Sequence, residues 1–170
     1  MIINASRRTD IPAFYSRWFM NRVRDGYCTV PNPYNSKQIS CVPINPGDID
    51  VIVFWTRNSR PMIRHLNELN ERGFRYYFQN TVLNYPEIID ANTPSLSKAV
   101  DNFRLLSDRI GPAKVIWRYD PIVFSKKTNT SFHLENFAKI AELLQGHTNK
   151  CVISIVDMYK KAVSRMRTLE

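Results

Sequence analysis

From Ile49 onward, short and strongly apolar runs alternate with longer stretches of helical period. The run "DIDVIVFW" is nearly continuous in β-branched and aromatic residues, the composition of a strand covered on both faces. "PMIRHLNELNERG" follows, with Met62, Leu66 and Leu69 on one helical face and Gly73 where a helix stop belongs. "FRYYFQNTVL" reads as the next strand, and "SLSKAVDNFRLLSDRIG" as a helix with Leu96, Val100, Phe103, Leu106 and Ile110 at helical spacing. "KVIWRYDPIVF", "SFHLENFAKIAELLQG" and "CVISIVDMY" continue the pattern as strand, helix and strand.

With "MIINAS" as a first strand and a helix around "AFYSRWFMNRVRDG", five β-α units are expected, the last holding only the start of its helix. Between the first helix and the second core strand, "YCTV" and "QISCV" flank the turn formers "PNPYNSK". This predicts a β-hairpin insertion near residues 27–42, centred near Tyr34 and Asn35, which sets Cys28 opposite Cys41. No low-complexity linker divides residues 1–170, so a single α/β domain is expected.

Strands that alternate with helices lie parallel and are joined by right-handed crossovers. An open doubly wound sheet and a (β/α) barrel both fit. A complete eight-fold barrel needs about 200 residues or more. A chain of 170 residues therefore holds part of a barrel or an open sheet.

Each apolar run finishes in polar residues: "SRRTD", "WTRN", "FQNT", "WRYD" and "SIVD". In parallel α/β folds the carboxyl ends of the strands share one face, and ligands bind there. Arg7, Arg8, Asp10, Arg57, Asn58, Gln79, Thr81, Arg118, Asp120 and Asp157 are accordingly the candidate ligand-binding residues, with Thr56, Asn80 and Ser154 on the same rim. Arginine meets carboxylate or phosphate through a planar fork, and a carboxylate holds an arginine in place or binds hydroxyls and amines. Trp55, Trp117 and Tyr119 offer flat surfaces for a ring near that rim, although large aromatics at strand ends are more often core. His65, His133 and His147 have no partner at metal-ligand spacing and read as surface residues, so no metal site is expected.

Composition changes this picture in two ways. Twenty-four Lys and Arg against fifteen Asp and Glu leave a formal charge of +9, which favours an anionic partner: a small molecule, a nucleotide-like ligand or nucleic acid. One basic concentration is "YKKAVSRMR" near the C-terminus. Three cysteines without C-x-x-C spacing make neither a disulfide framework nor a zinc or cluster site. With five glycines and no P-loop, dinucleotide or G-x-S-x-G motif, the common nucleotide loops and the hydrolase elbow are excluded. No stretch reaches the roughly 20 consecutive apolar residues that span a bilayer, and no secretory leader is visible, so no membrane partner and a cytoplasmic location are expected.

"SRRTDIPAFYSRWFMNRVRDGY", "VPNPYNSKQIS", "VIVFWTRN", "YYFQNT", "VIWRYDPI" and "CVISIVDMYKK" together resemble the prokaryotic family called domain of unknown function 1848, over essentially all 170 residues. The resemblance implies a partial (β/α), TIM-like barrel similar in character to radical S-adenosylmethionine enzymes. Longer members continue into a cysteine cluster, which implies a 4Fe-4S cluster and S-adenosylmethionine there; no cofactor is expected within this chain, which has no clustered cysteines. On this reading residues 1–170 form the N-terminal part of a longer protein, binding an anionic or nucleotide-like ligand and inactive alone. A non-catalytic nucleic-acid-binding module is one alternative. A cofactor-independent barrel enzyme with Asp10 or Asp120 as base is another. A part-barrel also exposes strand edges, from which self-association is expected.

Overall fold

The computed structural model describes residues 1–6, 8–91 and 93–156. Five parallel strands, β1 (Ile2–Asn4), β4 (Val51–Thr56), β5 (Tyr76–Thr81), β6 (Val115–Ile122) and β7 (Cys151–Ile155), form one sheet in that order. Its core strands are thus neighbours in chain order, with no reversal. The hairpin of β2 (Tyr27–Pro31) and β3 (Ile39–Pro43) stands apart as a two-stranded antiparallel ribbon.

Alternation along the strands decides which side of the sheet is core. Ile52 and Phe54 on β4, Tyr76 and Phe78 on β5, and Val115, Trp117 and Tyr119 on β6 are buried, and the strand pairing sets Ile52 beside Tyr76 and Phe54 beside Phe78. All seven belong to one cluster that also takes in Phe19 and Val23, Met62, Leu66 and Leu69, Phe103 and Leu106, and Ile140 from the helices. Phe54 meets Phe19 edge to face at 5.3 Å, and Trp117 stacks on Phe137 at 4.7 Å. Each such side chain contributes about 1.5–3 kcal/mol by leaving water. Their concentration on one face draws the helices to that face.

The opposite face carries Val53, Trp55, Tyr77, Gln79, Ile116, Arg118, Asp120, Val152 and Ser154 by the same alternation. Val53 is buried yet lies outside the core cluster, and Trp55, Gln79 and Arg118 are half-buried. β4 is covered on both faces as "DIDVIVFW" suggests, the second face less completely: Val53 is buried, and Val51 and Trp55 are half-buried.

Helix patterning held with local breaks. The first expected helix is α1 (Ile11–Phe14) and α2 (Ser16–Asp25), interrupted at Tyr15, whose φ of −128° is not helical. The helix expected at "PMIRHLNELNERG" is split into α3 (Arg60–Ile63) and α4 (Leu66–Glu71) where the His65 N–H bonds back three residues to Met62. Met62, Leu66 and Leu69 are nonetheless all fully buried, and Gly73 follows in the left-handed region at φ +82°. α5 (Leu96–Ile110) and α6 (Thr130–Leu143) stand as expected. Among the described residues no helix is long and apolar enough to cross a membrane.

The hairpin forms one residue out of the expected register. Cys28 pairs with Val42 and Cys41 with Thr29, so the two thiols point to opposite faces of the ribbon. Asn32 accepts from the Tyr34 N–H and donates to Gln38 within a turn of residues 32–38, one residue later than the expected 31–37 and of the same length.

A candidate ligand site on the open face of the sheet

Arg118 and Asp120 are aimed by their neighbours. Trp117 donates its indole N–H to the Val82 carbonyl at 3.1 Å, inside the core. Tyr119 is held more tightly still: its hydroxyl lies 3.0 Å from His133 Nδ1 and accepts from Asn136 at 3.2 Å. His133 Nε2 faces the Val123 carbonyl at 3.0 Å, an acceptor only, so the ring carries its proton on Nε2 and Nδ1 accepts from the tyrosine. With both flanking residues fixed on the core side, Arg118 and Asp120 must project from the other. His133 is therefore a buried structural residue, which corrects the expectation that all three histidines lie at the surface; His65 and His147 are half-buried.

On the open face the two charges form an ion pair with about 16% and 15% of their side chains exposed. The Arg118 Nη2 donates to Asp120 Oδ2, and Ser154 on β7 donates its hydroxyl to Asp120 Oδ1. The register that sets Tyr119 beside Ile153 carries Asp120 next to Ser154, and the ladder shifts only before Ile122, where Pro121 has no N–H to give it. The Arg118 guanidinium carbon sits 4.3 Å from the centre of the Trp55 ring. Among the described residues Arg118 Nε and Trp55 Nε1 are buried donors without acceptors. Gln79 lies in register between Trp55 and Ile116, and Thr81 in register with Arg118. The result is a flat cation on an aromatic plate, beside a carboxylate and a hydroxyl.

The other expected site residues part from this cluster. Asp10 caps α1 by accepting from the Ala13 N–H at 3.0 Å and ties it to β4 by accepting from the Arg57 N–H at 2.8 Å. Its role is to join two segments. Asn58 accepts from Asn102 at 3.3 Å and from the Arg60 N–H at 3.2 Å, inside the junction of α3 and α5. Thr56 and Asn80, expected on the rim, face the core side and are buried. Arg8 is exposed and donates to the Pro31 carbonyl at 2.8 Å, which places it with the hairpin. Arg7, Asp157 and the basic "YKKAVSRMR" segment lie outside the described residues.

Arg57 pairs with Asp90, a residue that no local pattern distinguishes. Asp90 belongs to the segment after β5, which Tyr85 pins across the end of β6. The Tyr85 hydroxyl donates to the Pro121 carbonyl at 2.8 Å and accepts from the Val123 N–H at 3.0 Å. Burial pushes this phenol up to about 12, so it stays protonated and donating at neutral pH.

The cysteines do not fit an iron–sulfur cubane, which needs three thiolates on one cluster. Cys28 and Cys41 sit on opposite faces of the hairpin, while Cys151 opens β7, at the far edge of the sheet from β1. Burial raises the Cys28 and Cys151 thiols above their ordinary value, which disfavours the thiolate form further. No cluster chemistry is assigned to this donor set.

No curated protein and no solved structure matches the chain. A family model does, along nearly its whole length: by the match over residues 2–170, this chain with its open-faced parallel sheet belongs to the family described as domain of unknown function (DUF1848).

Proposed function

We propose that the sheet is the wall of a partial (β/α) barrel, and that its open face binds a small anionic or nucleotide-like ligand through Arg118, Asp120, Ser154 and Trp55. Two features support the barrel reading. Core strands lie in chain order, and the core packs against one face, as in the wall of a (β/α) barrel.

One observation carries the ligand reading: a nearly desolvated Arg118–Asp120 pair stacked on Trp55 on the face away from the core. Desolvating two charges costs several kcal/mol, and a hydrophobic pair of similar volume would commonly serve stability as well or better. Planar arginine on an aromatic ring is a recognition device for phosphates, carboxylates and ring systems. The role supported is binding and orientation. A carboxylate-base reading has less behind it, because both oxygens of Asp10 and both of Asp120 already hold donors.

The test is calorimetric titration with AMP, ATP, inorganic phosphate and succinate. Saturable binding of at least one is expected, weakened about tenfold or more by Arg118→Met and by Trp55→Leu, since a hydrogen bond to a charged group is worth about 1.5–3 kcal/mol. A wild-type protein that binds none of them at millimolar concentration overturns the proposal. So do folded variants that bind as the wild type does.

A further inference from the structure

A second surface lies at the carboxyl end of β1, where α1, α2 and the hairpin enclose an open groove of about 620 Å³. Arg8 and Thr9 form one side, Tyr15 and Trp18 the next, and Thr29 and Val30 of β2 the other. The Arg8 bond to the Pro31 carbonyl ties the first side to the hairpin.

Exposed aromatics are concentrated here. Tyr15 and Trp18 are 50% and 45% exposed, and the series runs on beyond the groove through Phe14 and Tyr27 to Tyr34 at the hairpin turn. α2 has a sufficient buried face without Trp18, since Phe19, Met20 and Val23 already fill its core side. Trp18 therefore stands outside the packing of the fold.

Cations outnumber anions in the segments that form the groove, although Arg22 is paired with Asp25 and Arg24 with Glu68. Residues 1–43 contain six Arg and Lys against two Asp. Both aspartates are engaged: Asp10 by the Ala13 and Arg57 N–H groups, Asp25 by Arg22. Arg8 is an exposed cation on the groove wall, and Lys37 is another in the hairpin turn.

We propose that this groove binds single-stranded nucleic acid, its bases stacking on Tyr15 and Trp18 and its phosphates meeting Arg8. Bases of any sequence present a π-face, and a basic track beside aromatic platforms is the arrangement that holds single strands. A small ligand fits less well, because such sites bury most of their ligand's surface and this groove leaves its aromatic walls half in water. The surface is independent of the Arg118 cluster, so each proposal stands or falls alone.

Fluorescence anisotropy with a labelled twelve-nucleotide oligo-dT tests it. Binding is expected at low salt and should fall steeply between about 50 and 200 mM salt. Trp18→Ala and Tyr15→Ala should each weaken it about tenfold or more. Arg8→Ala should lower the slope of log affinity against log salt by about 0.7. Arg118→Met should leave oligonucleotide binding unchanged. The side chains of Arg8, Tyr15 and Trp18 are exposed, and an unaltered melting temperature and circular dichroism spectrum confirm that these three variants fold, while a native spectrum at the assay temperature suffices for Arg118→Met. Absence of binding at 50 mM salt and 100 μM protein overturns the proposal. Two other results do the same: binding that both aromatic variants leave intact, which would be diffuse charge attraction, and AMP binding by the Arg118→Met protein as tight as the oligonucleotide and lost in Trp18→Ala, which would make the groove a mononucleotide site.

Discussion

Replacing Arg118 by Met removes the cation and keeps most of the volume, so the effect can be worked out from its surroundings. Asp120 would be left about 15% exposed, with Ser154 and no cation beside it. Stranding one member of a desolvated pair costs about 3–5 kcal/mol. The loss of the contact with Trp55 adds about 0.5–2 kcal/mol. In a domain of this size each kcal/mol moves the melting temperature about 2–4 °C, so a fall of roughly 10–20 °C is expected. Asp120→Asn strands the arginine instead and should cost a similar amount. The double variant Arg118→Met with Asp120→Asn leaves no charge to desolvate, and Ser154 retains an amide to bond. It should recover most of the loss, to within about 1 kcal/mol of the wild type. Urea unfolding of the four proteins gives the coupling energy directly, expected at about 3 kcal/mol or more. Additive costs, agreeing within about 0.5 kcal/mol, would refute the claim that the two charges are a desolvated unit. Ligand affinity should stay lost in the double variant although stability returns, which separates the binding role from a structural one.

Asp10→Ala should cost about 1–3 kcal/mol in urea unfolding, since it orphans the Ala13 and Arg57 N–H groups, yet leave ligand affinity at the Arg118 cluster unchanged. Lost affinity in a protein that still folds would return Asp10 to the site. Glu68 is held at about 2, below its ordinary 4.5, first by its hydrogen bonds with Arg24 and then by Arg72. Because the folded value is the lower one, the unfolded chain binds the extra proton. The stabilisation is complete above pH 4.5 and disappears as pH falls toward 2. Solvent screening limits it to about 1 kcal/mol. Melting temperatures of wild type and Glu68→Gln should therefore converge on acidification, and curves that stay parallel to pH 2.5 would contradict the assignment.

The elements were legible because hydrophobic period is a property of each segment by itself. Leu96, Val100, Phe103 and Leu106 specify a helical stripe wherever that helix packs, and Tyr76 and Phe78 specify a strand face in the same way. Arg118 and Asp120 stood out as charges ending an apolar run, but that they leave Trp117 and Tyr119 on the core side and face the other way follows from the alternation the strand imposes. What remained hidden depends on distances between segments. Nothing local in "SRRTD" tells a capping aspartate from a ligand-binding one; that difference lies in the Arg57 N–H, 47 residues away. Asp90 was invisible until Arg57 stood opposite it. His133 looked like a surface residue because its two partners, Tyr119 and the Val123 carbonyl, come from another element. The hairpin register turned on side-chain bonds of Asn32 that turn composition alone does not contain.

The alternation along β5 and β6 also divides the routes by which this protein can change. Substitutions at 78, 117 and 119 alter stability and, through the tilt of their strands, the aim of everything on the far side. Substitutions at 79, 81 and 118 can alter what is recognised while the core keeps its packing. On the proposed binding role, a library that varies 79, 81 and 154 together, with the Arg118–Asp120 pair and Trp55 kept, therefore explores new ligands on an unchanged scaffold. One that varies the intervening positions mostly explores unfolding.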